Sequence, residues 1–273
     1  MVLAGNENFT ILHLLHGVEN PLSNSRYWWA SIIRRHFWKR YISKIAKADY
    51  IAAAADFSNI SRFKTLNNLT NEVNRFPTRF DDKVFRPLRS KIVDIPTFVF
   101  TGRLSKVKDI PFLLLSFKHY LEKFGEAQLY IIGDGELRDE LTLYARELGI
   151  FPHVKFTGFL EKQDIAEVLN SAHVFLLTSK IEGWPTAMVE ALACGLPSVS
   201  TLVSGASDMI KNGINGYVVP QRDPEVYAQQ MKNALSLAPI NTESIEAVEN
   251  YKLSQMANSM KELFPNFFTM KLQ

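Results

Sequence analysis

Val174-Phe-Leu-Leu-Thr178-Ser179-Lys-Ile-Glu182-Gly183-Trp184-Pro185-Thr186-Ala-Met-Val-Glu190-Ala-Leu-Ala-Cys194-Gly195-Leu-Pro197 is the stretch on which the reading of this chain turns. Its first five residues are apolar and bounded by turn residues, the mark of a buried strand. Pro185 suits a first helical position and Gly195 with Pro197 marks a stop, which predicts a helix over 185–194. Glu182 then sits in the strand-to-helix loop, and Glu190 lies about one and a half turns into the helix. In an open α/β sheet ligands bind outside the carboxyl ends of the strands. A helix N-terminus there favours phosphate, and two carboxylates can grip sugar hydroxyls. The ligand suggested is part phosphate and part sugar. Taken singly, either Glu also reads as a solvated face residue or as a charge stabilising the helix dipole.

The pattern continues on both sides. Apolar runs at 97–101, 128–132, 153–157, 173–178, 198–202 and 217–219 predict strands. Between them, 110–123, 136–148, 162–171, 185–194, 206–211 and 224–237 predict helices. This alternation implies an α/β fold with a doubly wound parallel sheet. Residues 244–264 read as one last helix ending at Pro265. The front is less regular: a strand at 9–15 running into His16-Gly17, a helix over 27–48, an apolar run at 50–55 and an irregular connector over 74–87. That gives about two strands and two helices. The expected organisation is a partial N-terminal α/β domain with connector (1–92), a C-terminal Rossmann-like domain (93–240), and a C-terminal helix (241–273) packing back toward the N-terminal part.

Composition sets outer limits. With 273 residues, 47% of them hydrophobic, the chain suits one large or two small domains with a sizeable core. The net charge of +3 is unevenly spread: residues 1–90 carry 14 Lys/Arg against 7 Asp/Glu, the rest 17 against 21. No nucleic-acid-binding module accompanies that charge, so no nucleic-acid partner is expected. A single cysteine, Cys194, excludes an internal disulfide and fits a reducing compartment. Its place near the end of the motif helix reads as a packed thiol rather than a nucleophile. The longest run without Asp, Glu, Lys or Arg, 191–207, falls short of a bilayer span. The first eight residues lack a basic n-region, so a signal peptide is not expected. The expected location is cytoplasmic. Residues 27–48 mix Tyr27, Trp28, Trp29, Phe37, Trp38 and Tyr41 with cations, which suits peripheral contact through 26–47 with the inner membrane face. Core rings with solvated cations explain the same residues equally well.

Two further segments follow predicted strands. Gly102-Arg103-Leu104-Ser-Lys106-Val-Lys108 puts a guanidinium at the crevice mouth, able to fork onto phosphate oxygens, with Lys108 as a second charge and Lys106 as a fallback. Alone, these would be ordinary surface cations. Gly133-Asp-Gly135-Glu-Leu-Arg138 begins like a dinucleotide fingerprint, but Arg138 stands where the third Gly belongs, which disfavours a nicotinamide oxidoreductase. A tight strand-to-helix turn explains both glycines equally well.

Together, Glu182-Gly-Trp-Pro, the second Glu at 190 and Ala-Leu-Ala-Cys-Gly-Leu-Pro197 resemble the signature of the family-4 retaining glycosyltransferases, whose fold is the two-domain GT-B. Gly102-Arg103-Leu104, Gly133-Asp-Gly135, Phe156-Thr-Gly158-Phe159-Leu160 and Leu14-Leu15-His16-Gly17 resemble further segments of that family. The resemblance implies sugar transfer from a nucleotide-diphosphate donor to a glycan or lipid-linked acceptor hydroxyl, with retention at the anomeric carbon, in polysaccharide or lipopolysaccharide assembly. It implies that Glu182 and His16 are catalytic, that Glu190 holds the ribose, and that Arg103 and Lys108 clamp the diphosphate beside the N–H groups of Gly183, Trp184, Pro185 and Thr186 (Pro185 contributing shape alone). Gly133, Gly135, Phe159 and Leu160 would line the nucleotide end. No cofactor or metal is expected, in keeping with the lack of an Asp-x-Asp motif.

Three departures accompany the resemblance. Lys108-Asp109 stands where the family shows Lys-Gly, placing an acid that could weaken the clamp. Thr78-Arg79 replaces Asn-Gly in the connector, a change expected to affect mainly the loop backbone. Against the family pattern, the expected N-terminal domain is entered in mid-domain, without several strands and a Gly-rich loop. The alternative reading is therefore a truncated, inactive nucleotide-sugar-binding protein, or a subunit completed by another chain.

Overall fold

The computed structural model describes residues 12–15, 39–48, 50–54, 57–88, 95–237 and 240–264. It divides into two compact units, one of Met1–Thr78 with Gln255–Gln273, the other of Arg79–Ser254.

In the larger unit β4 (Thr97–Thr101), β5 (Gln128–Ile132), β6 (Val154–Gly158), β7 (Val174–Leu177), β8 (Ser198–Thr201) and β9 (Gly216–Val219) form one sheet in the order β6-β5-β4-β7-β8-β9. All five pairings are parallel. The observed strands begin and end within two residues of those expected. β4, β7 and β8 are buried at every position, because helices cover both faces of a parallel sheet. On one face α3 (Ile110–Phe124), α4 (Arg138–Glu147) and α8 (Pro224–Ala234) share a core with Phe98, Phe100, Leu129, Ile131, Leu176 and Val199. Phe112 of α3 meets Tyr227 of α8 edge-on at 5.5 Å. The Tyr227 hydroxyl donates to Val199 O at 2.7 Å, and burial pushes its pKa well up. Elsewhere α5 (Lys162–Ser171) packs on α6 (Thr186–Ala193). The chain leaves β4 outward in one direction through β5 and β6, then returns to place β7 on its other side. That reversal opens a crevice at the carboxyl ends of β4 and β7.

The expected single helix over 244–264 is corrected. Residues form α9 (Thr242–Ala247), two short 3-10 turns at Glu249–Tyr251 and Leu253–Gln255, and α10 (Met256–Leu263), with α7 (Ala206–Met209) completing the series before them. The break has a tertiary cause. Phe80 N donates to Tyr251 O at 3.0 Å and Leu253 N to Phe80 O at 2.9 Å, so the chain at 251–253 pairs with the connector instead of with its own preceding turn. The Arg79 guanidinium donates to Asn250 O, so the Thr78-Arg79 departure affects more than the loop backbone.

The smaller unit has three parallel strands in the order β1-β2-β3: β1 (Leu12–Leu15), β2 (Tyr50–Ala53) and β3 (Val73–Arg75). β3 occupies the start of what the sequence suggested was an irregular connector. Helix α1 is described over 39–45 and α2 spans Phe57–Asn67. Ile45, Ile51, Ala53, Ile60, Phe63 and Val73 form the core, with Ile42 against it. Lys39, Arg40, Lys44 and Lys47 are exposed. His16 and the aromatic residues of 27–38 lie outside the described residues. Among the described residues no helix is long and apolar enough to cross a membrane.

Candidate functional site

A cavity of about 400 Å³ opens at the carboxyl edge of β4, β5 and β6. Arg103, Gly133, Phe159, Leu160 and Glu190, five of the residues singled out from the sequence, line it together with Thr101, Ile165 and Ala187. The turns after β4 and β5 shape one wall. A Cβ on Gly133 would stand 2.0 Å from Gly102 O, and one on Gly135 2.4 Å from Leu104 O. Both glycines are required by close backbone approach, so the tight-turn explanation accounts for them, with Gly133 also reaching the cavity surface. Phe159 is 75% exposed at the rim, where its ring is open to a ligand.

Arg103 comes straight off β4, its side chain 77% exposed, and among the described residues it pairs with Glu136 alone, at 3.7 Å. An exposed pair of this length is worth little, so the guanidinium can turn to a phosphate at small cost. Glu190, in the second turn of α6, faces the cavity. Burial pushes its carboxyl up to about 7, the charge of Lys162 opposing the shift. Near neutral pH it can therefore both donate to and accept from ligand hydroxyls. Cys194, four residues on, is buried and its thiol is pushed up to about 12, first by burial and then by the Glu190 charge, which suits a packed thiol and not a nucleophile.

Beyond the crevice, on the β7 side, charges are paired. Lys108 Nζ donates to Glu182 Oε1 at 2.6 Å, their side chains 22% and 11% exposed. Ser179 Oγ donates to the same Oε1 at 2.5 Å. Oε2 carries no hydrogen bond among the described residues. Glu182 and Lys108, 74 positions apart in sequence, are thus brought together by the adjacency of β4 and β7. Of the loop between them, Trp184 turns its ring into the core, 7% exposed and edge-on to Tyr251 at 5.3 Å. Pro185 is the N-cap residue of α6 and not its first helical one. The Thr186 N–H donates to Trp184 O at 2.9 Å. Gly183, Trp184, Pro185 and Thr186 do not line the cavity, nor does Gly135.

The acid beside Lys108 behaves differently from expectation. The Asp109 carboxylate accepts from Arg222 at 2.5 Å and lies 3.6 Å from Lys180 Nζ, so its charge is matched by neighbours other than Lys108. Arg222 was not singled out from the sequence. Its position just after a predicted strand, the same logic that flagged Arg103, was the available signal. Among the described residues no group of His, Cys, Asp or Glu is disposed to hold a metal ion.

Comparison with known proteins bears on the family and the fold. A lipopolysaccharide 1,6-galactosyltransferase of Salmonella typhimurium is 35% identical over 149 residues, covering 49% of this chain and 40% of that protein. Among solved structures, the apo lipopolysaccharide outer core galactosyltransferase WaaB superposes with a TM-score of 0.65 at 25% identity, over 80% of this chain and 62% of the other. Anabaena Alr3699/HepE, solved with UDP and glucose, gives a TM-score of 0.74 at 18% identity, over 93% of this chain and 71% of the other. The chain thus spans less than two thirds of the first two of these relatives, and the α/β, GT-B-like fold class expected from the sequence stands. The family model described as glycosyl transferases group 1 matches residues 86–251, the whole of the crevice-bearing sheet, and the chain belongs to that family.

Proposed function

We propose that this chain binds a nucleotide-diphosphate sugar and transfers its sugar to an acceptor hydroxyl with retention of anomeric configuration, in the assembly of lipopolysaccharide, polysaccharide or another glycoconjugate. One observation carries the reading: at the carboxyl edge of one parallel sheet lie a cavity lined by an exposed arginine, an exposed ring and a protonatable acid and, outside that lining, a Lys108–Glu182 pair. Phe159 and Leu160 would receive the base and Glu190 the ribose. Arg103 would fork onto the diphosphate. As the sugar–oxygen bond breaks, negative charge grows on the departing diphosphate, and Arg103, Lys108 and the amino end of α6 would stabilise it. Lys108 would then exchange Glu182 for phosphate oxygen. Glu182, held by Ser179, would bind sugar hydroxyls as positive charge develops at the anomeric carbon. These cations would do the work without a metal. His16, which lies outside the described residues, is the second catalytic group of this reading.

The glycosyltransferase identity of the relatives, and the UDP and glucose in one protein of like fold, support this reading. The test is a thermal-shift screen of UDP-, GDP- and ADP-linked sugars, followed by transfer to a lipid-linked or glycan acceptor with and without EDTA. Product anomeric configuration is read by NMR. Donor-dependent stabilisation and EDTA-resistant transfer with retention are expected; stabilisation by no donor would refute the site. Binding without transfer would favour the other reading, a nucleotide-sugar binder or a subunit completed by a second chain. The exposed Lys39, Arg40, Lys44 and Lys47 support peripheral contact with an anionic, cytoplasmic membrane face. Pelleting with vesicles that does not depend on anionic lipid would remove that part.

A further inference from the structure

Arg222 lies in the loop between β9 and α8, 113 positions from Asp109, yet one guanidinium connects three elements at the crevice edge. Its NH2 donates to Asp109 Oδ2 at 2.5 Å and to Thr178 O at 2.8 Å. Its NH1 donates to Ser179 O at 3.3 Å, and the group stacks over the Phe112 ring with 5.0 Å to the centroid. The two carbonyls belong to residues whose side chains bond the Lys108 backbone and the Glu182 carboxylate. Thr178 Oγ1 donates to Lys108 O at 3.0 Å, and Ser179 Oγ donates to Glu182. Thr201 Oγ1 adds a bond to Ser179 O at 2.7 Å.

Asp109 makes this arrangement at a cost. It is the N-cap residue of α3 at φ 48° and ψ 49°, the left-handed region that side chains disfavour. Its side chain is only 16% exposed, so its charge needs a close partner. Without Arg222 that partner would be Lys180, which is half in solvent, or the adjacent Lys108, drawn away from Glu182.

We propose that Arg222 is the positioning residue of the crevice's β7 side: its fork neutralises Asp109 and fixes the Thr178–Ser179 carbonyls, and thereby sets Lys108 and Glu182 for the leaving diphosphate and the sugar. The inference deepens the glycosyl-transfer reading and rests on it for its kinetic consequence. The cavity side, with Arg103 and Glu190, does not touch this fork. Loss of Arg222 should therefore impair the chemical step and spare nucleotide binding.

The test uses the full chain and whichever of UDP-, GDP- or ADP-glucose stabilises it most. Arg222→Ala should lower kcat at least about tenfold while the Kd of the matching nucleoside monophosphate, which lacks the terminal phosphate offered to Lys108, stays within about threefold. Arg222→Lys, which keeps the charge but not the planar fork, should remain well below wild type. Asp109→Gly combined with Arg222→Ala should recover at least about threefold of the lost kcat, because no carboxylate then competes for Lys108. A kcat for Arg222→Ala within twofold of wild type would overturn the proposal, as would an equal fall in nucleotide affinity, which would mean general loosening. Should the wild type bind no donor, the glycosyl-transfer reading fails and hydrogen exchange still decides the positioning role. Faster exchange of the 179–183 amides in Arg222→Ala, with 102–104 and 133–135 unchanged, supports it; unchanged 179–183 overturns it.

Discussion

The two sides of the crevice solve opposite problems. The β4–β5–β6 side is open: Arg103 stands mostly in solvent with one weak partner, and Phe159 is uncovered. The β7 side is closed: Lys108, Glu182, Asp109, Lys180 and Arg222 are all matched to one another. A site that must admit a charged ligand from water is helped by a cation that costs little to redirect. A site that must stabilise charge appearing during reaction is helped by groups already fixed in place. Under the proposed function, the difference assigns binding to one half of the sheet edge and chemistry to the other.

The comparison can be broken most directly by removing a group from each side. Glu182→Gln should reduce transfer on the order of 10²–10³-fold through kcat alone, and Arg103→Ala should cost a similar factor through donor KM as well as kcat, both read by steady-state kinetics. An unchanged donor KM in Arg103→Ala would show the division to be wrong. Gly133→Ala tests whether the open side depends on a rigid wall. Its Cβ would overlap Gly102 O, and a loss of about 3 kcal/mol in urea unfolding is expected.

Glu190 sharpens the comparison through pH. Its folded-state pKa is raised by burial from 4.5 to about 7, so the folded protein holds a proton that the unfolded chain releases. The stability this provides is complete below about pH 4.5 and is lost as pH rises through 7. Wild type should therefore lose stability relative to Glu190→Gln over that window, on the order of 1–3 kcal/mol, and run parallel above it. A constant difference across pH would place Glu190 in water and not in the cavity wall. The smallest effect concerns Cys194. Its buried, raised thiol should resist iodoacetamide in the folded protein and react only on unfolding, as followed by mass spectrometry.

Much of this was legible in the chain because it is local. The strands of the larger unit are short apolar runs closed by turns, and β4 and β5 fall on the residues expected. The three-and-four spacing of α4 and the stop at Gly195 and Pro197 depend only on neighbours in sequence. Arg103, Gly133, Phe159, Leu160 and Glu190 could be gathered into one cavity beforehand because strand ends in a parallel sheet share an edge. The helix expected over 244–264 failed for the opposite reason. Its periodicity is real, but Phe80 offers hydrogen bonds at 251–253 that the sequence spacing cannot reveal.

Sequence alone thus determined the α/β class, the order of elements in the larger unit and which residue types stand at its strand ends, since propensity and periodicity act over a few residues. Tertiary structure decided the partners: Glu182 with Lys108 and Ser179, and Asp109 with Arg222 rather than with the lysine beside it. Charges choose among neighbours by distance and burial in space, and those are set only when β4, β7 and β9 have been laid into one sheet.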